Sequence, residues 1–186
     1  MNLENFAEES EKALKEKFGD KTTFWVWPSY SGVKGFYGNG LINNTIVIWI
    51  TERPSSARVN RREHKFPDWV DKIFYRVLKE EGFENMHFTD FVKIVDYAGK
   101  PPTHEELISS AEWMKKEIEM LKVDRKKLII VANSKNVKRW MKEYLPEYSC
   151  IYHEFFKRTI RYRKRSERED FLRKILRNIM DKTTLL

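Results

Sequence analysis

Cysteine is nearly absent from this chain and glutamine is wholly absent: 186 residues include one Cys, Cys150, and no Gln. A lone cysteine closes no internal disulfide. It also excludes a cysteine-rich metal site or an iron–sulfur cluster built from this chain alone. No apolar run approaches the roughly 20 residues of a membrane span; the longest centres on Thr45–Ile50. The N-terminus, Met1-Asn2-Leu3-Glu4-Asn5, has no basic stretch leading into an apolar one, so no signal peptide is expected and a cytoplasmic location is. Walker and dinucleotide fingerprints are missing, as are G-x-S-x-G and any H-x-x-x-H spacing, so no metal site or cofactor is expected.

What is present is charge and aromatic bulk. Charged residues make up 34% of the chain and aromatics 14%, with a net charge of +8. Apolar content of 41% places the chain among globular proteins. Abundant Lys and Glu with few thermolabile amides is a thermophile-like composition. The positive charge is local. Arg53, Arg58, Arg61, Arg62 and Lys65 fall between positions 53 and 65, and Lys157, Arg158, Arg161, Arg163, Lys164 and Arg165 between 157 and 165. Two such clusters point to a polyanionic partner.

Periodicity divides the chain into alternating strands and helices. Asn5–Phe18 reads as an amphipathic helix stopped by Gly19, and Phe24–Trp27 as a short strand ended by Pro28. Ser29–Gly40 reads as a loop or irregular hairpin. Thr45–Ile50 is β-branched and apolar throughout, as a strand covered on both faces requires. A helix capped by Asp68 is expected to about Glu81, a strand over Met86–Thr89, and a helix opened by the capping box Thr103-His104-Glu105-Glu106. Strands at Lys127–Ala132 and Ser149–Tyr152 flank a helix starting at Asn133-Ser134. A basic helix is expected at about 155–180. The alternation predicts one α/β domain over residues 1–186, three layers deep, around a mostly parallel four-stranded sheet.

Three expected strands end in polar residues: Thr51-Glu52-Arg53, Thr89-Asp90 and His153-Glu154. Ligands of open α/β sheets bind beyond the carboxyl ends of the strands. Glu52, Asp90 and His153 are therefore expected along one cleft, where a carboxylate can activate water and a histidine can stabilise a developing anion.

The order of these segments resembles the uracil-DNA glycosylase superfamily. Ile50-Thr51-Glu52-Arg53-Pro54-Ser55 resembles its first motif, with Glu52 at the position filled by Glu in the iron–sulfur branch. Phe66-Pro67 resembles the segment whose phenylalanine stacks on the flipped base. Met86–Lys93 resembles a strand ending T-N-V-V-K, Pro101–Glu106 the P-T-x-E-E start of the next helix, and Tyr152-His153-Glu154 the histidine motif. Thr51 stands where the motif has glycine, Asp90 where it has asparagine and Glu154 where it has proline; the cluster cysteines are absent.

The resemblance implies a cofactor-free DNA repair enzyme that removes a damaged base, a deaminated one foremost, by hydrolysing its N-glycosidic bond. Glu52 would activate the water and His153 would stabilise the departing base. Phe66 would stack on that base and Asp90 would read its edge; ionised, the carboxylate only accepts hydrogen bonds and suits an edge rich in N–H donors, whereas protonated it also donates. Arg53, Ser55, Arg58, Arg61, Arg62, Lys157, Arg158, Arg161 and Arg163 would hold DNA phosphates. A monomer bound to DNA and to no membrane is expected. The competing expectation is a non-catalytic nucleic-acid-binding module on the same fold.

Overall fold

The computed structural model of the chain describes residues 3–19, 40–53, 76–94, 100–121, 124–153 and 165–184. The strands are β1 (Leu41–Ile42), β2 (Thr45–Thr51), β3 (His87–Asp90), β4 (Leu128–Ala132) and β5 (Cys150–Tyr152). The helices are α1 (Leu3–Phe18), α2 (His104–Met120), α3 (Lys135–Tyr144) and α4 (Arg165–Thr184), with a further helical segment at 76–80.

β2 is the centre of the sheet. One of its margins pairs in parallel with β4, from Ile46↔Leu128 to Ile50↔Ala132. Its other margin is shared end to end. The antiparallel β1 covers Thr45 and Ile46, and the parallel β3 covers Ile48 to Thr51. Gly40 is the joint between these two pieces. Its N–H donates to the carbonyl of Asn85, and its own carbonyl accepts from Val47 N–H. β5 adds in parallel to β4. Side by side, the parallel strands run β3, β2, β4, β5. The sheet is mostly parallel, as the alternation predicts; the two-residue antiparallel β1 lies next to the segment read as a loop or hairpin.

Alternate residues of each strand bury against opposite layers, as a pleated sheet requires. Val47 and Trp49 of β2 and Ile129 and Val131 of β4 pack with Val77, Leu78, Leu172, Ile175, Leu176 and Ile179. On that face Trp49 and Phe88, partners in the β2–β3 register, stack with centroids 6.5 Å apart. Ile48, Ile50, Ile130 and Ala132 pack instead with Leu14, Leu107, Met114, Ile118, Val137 and Met141. Segment 76–80 and α4 therefore cover one face, and α1, α2 and α3 cover the other. The result is a three-layer α/β/α fold.

Local chemistry sets the helix starts. The Thr103 side chain accepts from Glu106 N–H, and the Glu106 carboxylate accepts from Thr103 N–H, completing the capping box. Ser134 caps α3 by accepting from Val137 N–H at 3.1 Å. α4 begins at Arg165, so the first part of the expected basic helix, 155–164, lies outside the described residues. So do the expected strand Phe24–Trp27 and the expected cap Asp68.

Candidate functional site

The connection from β2 leads to β3 by way of segment 76–80, on the α4 face. That from β4 leads to β5 by way of α3, on the opposite face and in the opposite direction across the sheet. The switch between the two directions falls at the carboxyl ends of β2 and β4, where open α/β sheets place their ligands. Glu52 and Arg53 follow β2 there, and Asn133 and Ser134 follow β4.

The register aligns one polar residue per strand across this edge. Thr51 of β2 is the direct partner of Asp90 of β3. One step past Ile50↔Ala132, Asn133 N–H donates to the Ile50 carbonyl at 2.9 Å, which sets Asn133 beside Thr51. One step past Ala132↔Tyr152, His153 N–H donates to the Ala132 carbonyl at 3.0 Å, which sets His153 beside Asn133. By the alternation that sends Trp49 and Phe88 to the α4 face, the row Asp90, Thr51, Asn133, His153 follows on that same face. Parallel strands stand about 4.8 Å apart, so the row spans about 14 Å from Asp90 to His153. A ligand touching both ends would lie across Thr51 and Asn133. Asp90 and Asn133 are buried, and Thr51 and His153 are partly exposed.

The Thr51 hydroxyl donates to Asp90 Oδ1. At the other end of the row, His153 lines a cavity of about 600 Å³ together with Tyr152 and with Asp170, Phe171, Lys174 and Asn178 of α4. Burial lowers the His153 pKa, and the positive charge of Lys182 acts in the same direction. The imidazole is thus neutral at pH 7, with one ring nitrogen able to donate and one able to accept.

Glu52 stands apart from this row. Its Oε1 accepts from Asn136 Nδ2 at 3.1 Å, in the first turn of α3 and so toward the opposite layer. Among the described residues its second carboxylate oxygen has no hydrogen-bond partner. The structure therefore brings Asp90 and His153 onto one face of the strand ends and directs Glu52 toward the other, across the switch point. The Arg53 guanidinium donates to the Lys100 carbonyl at 2.9 Å, tying the end of β2 to the loop before α2. Phe66, Ser55, Arg58, Arg61, Arg62, Lys157, Arg158, Arg161 and Arg163 lie outside the described residues.

Two features are not legible in the sequence. In the sequence Asn133 reads as a helix start; its place in the row depends on a register that periodicity does not reveal. The other is a buried network behind β3. Glu117 of α2 accepts from Lys93 Nζ at 2.6 Å and from the Thr89 hydroxyl at 3.1 Å, and its Oε1 lies 3.0 Å from His87 Nε2. Burial alone would raise the Glu117 pKa. The charge of Lys93 and the hydrogen bond from His87 outweigh it and hold the carboxyl at about 2. Glu117 is therefore ionised, and His87 Nε2 is the donor in that contact.

Cys150 is packed beside the α3-side core, and burial raises its thiol pKa against the opposing charge of Lys138. The thiol stays protonated and unreactive. Glu167, Glu169, Asp170 and Asp181 stand among the arginines and lysines of α4; Arg173 is engaged by Glu80 and Glu81.

No protein-family model matches the chain, and no curated protein matches it. Among the described residues no helix is long and apolar enough to cross a membrane.

Proposed function

We propose that the protein is a DNA glycosylase of the monofunctional, water-using kind, acting on a damaged base turned out of the helix. The observation that carries the proposal is the in-register row Asp90–Thr51–Asn133–His153 beside the switch point, with a cavity at its His153 end. Such a cavity lies in the size range of small-molecule pockets, roughly 300–1,000 Å³. The sequence resemblance supplies the chemistry.

In this reading the Asp90 carboxylate accepts N–H donors from the edge of the base, and Thr51 fixes one of its oxygens. Asn133 offers both a donor and an acceptor midway along the row. His153, neutral, donates a hydrogen bond to the base as negative charge develops on it. Glu52 has one oxygen oriented by Asn136, and the other takes the proton of a water aimed at the sugar carbon. Water attacks that carbon, the C–N bond breaks, and the base departs with its bonding electrons. The two basic clusters of the sequence provide phosphate contacts.

One observation favours a second reading, a nucleic-acid-binding module without catalysis. Glu52 and His153 point to opposite layers, so a substrate must bridge the strand ends to meet both.

The deciding experiment incubates the protein with duplexes carrying uracil, hypoxanthine, xanthine or a mismatch, followed by alkaline cleavage of abasic sites. Strand breaks at one lesion support the glycosylase. Tight duplex binding without breaks at any lesion leaves the binding module.

A further inference from the structure

Lys93 is a buried lysine three residues past the base-reading carboxylate, and it is only 6% exposed. An ammonium has three N–H bonds, and each left unmet in the interior is costly. All three are met: Glu117 Oε2 at 2.6 Å, Thr89 Oγ1 at 2.9 Å and the main-chain carbonyl of Asp90 at 3.0 Å. The last acceptor belongs to the residue whose side chain faces the site. The same Glu117 oxygen also takes the Thr89 hydroxyl, closing a three-membered ring of contacts.

Buried ion pairs are poor sources of net stability, because apolar residues of similar volume often do as well or better. They can supply a fixed geometry, and β3 needs one. It has four residues, and a slip of one would turn every side chain to the other face, taking Asp90 out of the row. His87 and Thr89 are held to Glu117 on the α2 face, which leaves Phe88 and Asp90 on the α4 face.

We infer that Lys93 is a positioning residue for Asp90: with Glu117 as its anchor on α2, it clamps the carbonyl of Asp90 and the hydroxyl of Thr89, and so sets the direction in which the Asp90 carboxylate meets a bound base. The identity of the ligand rests on the glycosylase reading; the clamp itself does not.

The test replaces the ion pair by an apolar one, Lys93→Met with Glu117→Met, so that no buried charge is left alone. Two readouts are compared with the unaltered protein. The first is the ratio of base release from uracil and hypoxanthine duplexes. It should change at least tenfold, with kcat falling more than KM rises. The second is amide hydrogen exchange at Phe91 and Val92, whose N–H groups donate to the Thr51 and Glu52 carbonyls at the end of the β2–β3 pair. Exchange there should accelerate at least tenfold while α1 and α3 exchange as before.

Should the double variant fail to fold, Thr89→Val removes only the hydroxyl shared by Lys93 and Glu117 and carries the same readouts. If no duplex releases a base, the glycosylase reading fails and the exchange rates alone decide the clamp. Unchanged exchange at Phe91 and Val92, or an unchanged base ratio in an active variant, overturns the inference.

Discussion

The hydroxyl of Thr51 donates to the carboxylate of Asp90 at positions that the β2–β3 register sets directly opposite. These are two of the positions at which the chain departs from the motifs it resembles, threonine for glycine and aspartate for asparagine. The two departures touch. A buried carboxylate needs donors, and the hydroxyl that glycine would lack supplies one.

Removal of this contact should show in both stability and selectivity. Thr51→Val keeps the strand but withdraws the donor, and should cost about 1–3 kcal/mol. Urea denaturation would show it as a lower midpoint at constant slope. The double exchange Thr51→Gly with Asp90→Asn recreates the motif pair. It should move base release toward uracil, whose edge presents an acceptor beside a donor. An unaltered uracil-to-xanthine ratio, xanthine carrying a second ring N–H, would remove Asp90 from base reading.

On the proposed glycosylase reading, Glu52→Gln should abolish most base release while leaving the duplex bound. The amide oxygen still accepts from Asn136, so the end of β2 stays in place. Loss of a general base typically lowers rates by about 10²–10⁴-fold. Single-turnover base release together with duplex affinity separates the two effects; a variant that still turns over normally would refute the assignment of the water to Glu52.

Acid should unfold the protein through Glu117. Its folded-state pKa of about 2 lies below the ordinary carboxyl value of 4.5, so the stability it contributes is complete above about pH 4.5 and is lost as pH falls toward 2. The span corresponds to about 3 kcal/mol. His153 acts in the same sense from higher pH. Its pKa is lowered by folding, so the unfolded chain takes up the proton first as pH drops below about 6.5. Urea unfolding at pH 7, 5 and 3 should show the decline, and Glu117→Gln should flatten its lower part. A slope unaffected by that exchange would place the acid-labile group elsewhere.

Gly40→Ala should destabilise the sheet by about 1–3 kcal/mol. Gly40 has φ +78°, and a Cβ there would lie 2.8 Å from Ile46 Cγ2 and 3.3 Å from the Val47 carbonyl oxygen. Neither the backbone nor the β-branched neighbour can yield easily. An unchanged unfolding midpoint would mean that the joint between β1 and β3 is looser than its two hydrogen bonds imply.

The sequence made the long elements legible because each carries its own signal. The β-branched run of β2 and the apolar run Leu128–Ala132 announce buried strands, and Thr103 with Glu106 announces a helix start. Positions of strand ends followed, and with them Glu52, Asp90 and His153. What stayed hidden depends on pairing. Whether Glu52 shares a face with Asp90 is a matter of register and pleat, since one residue of offset reverses it. Two residues of β1 are too few to show any period. Glu117 looks like one more solvated charge along a helix rich in Glu and Lys, and only the approach of β3 turns it inward.

The shared margin of β2 has a consequence for life at high concentration. Among the described residues, β1, β3 and β5 are two, four and three residues long and form the outer margins of the sheet. A strand from a second molecule needs a long, flat row of open N–H and C=O groups on which to align. Here the apolar, β-branched run Ile46-Val47-Ile48-Trp49-Ile50 is paired on both margins, and at the described strands a visiting chain would meet short stubs of backbone.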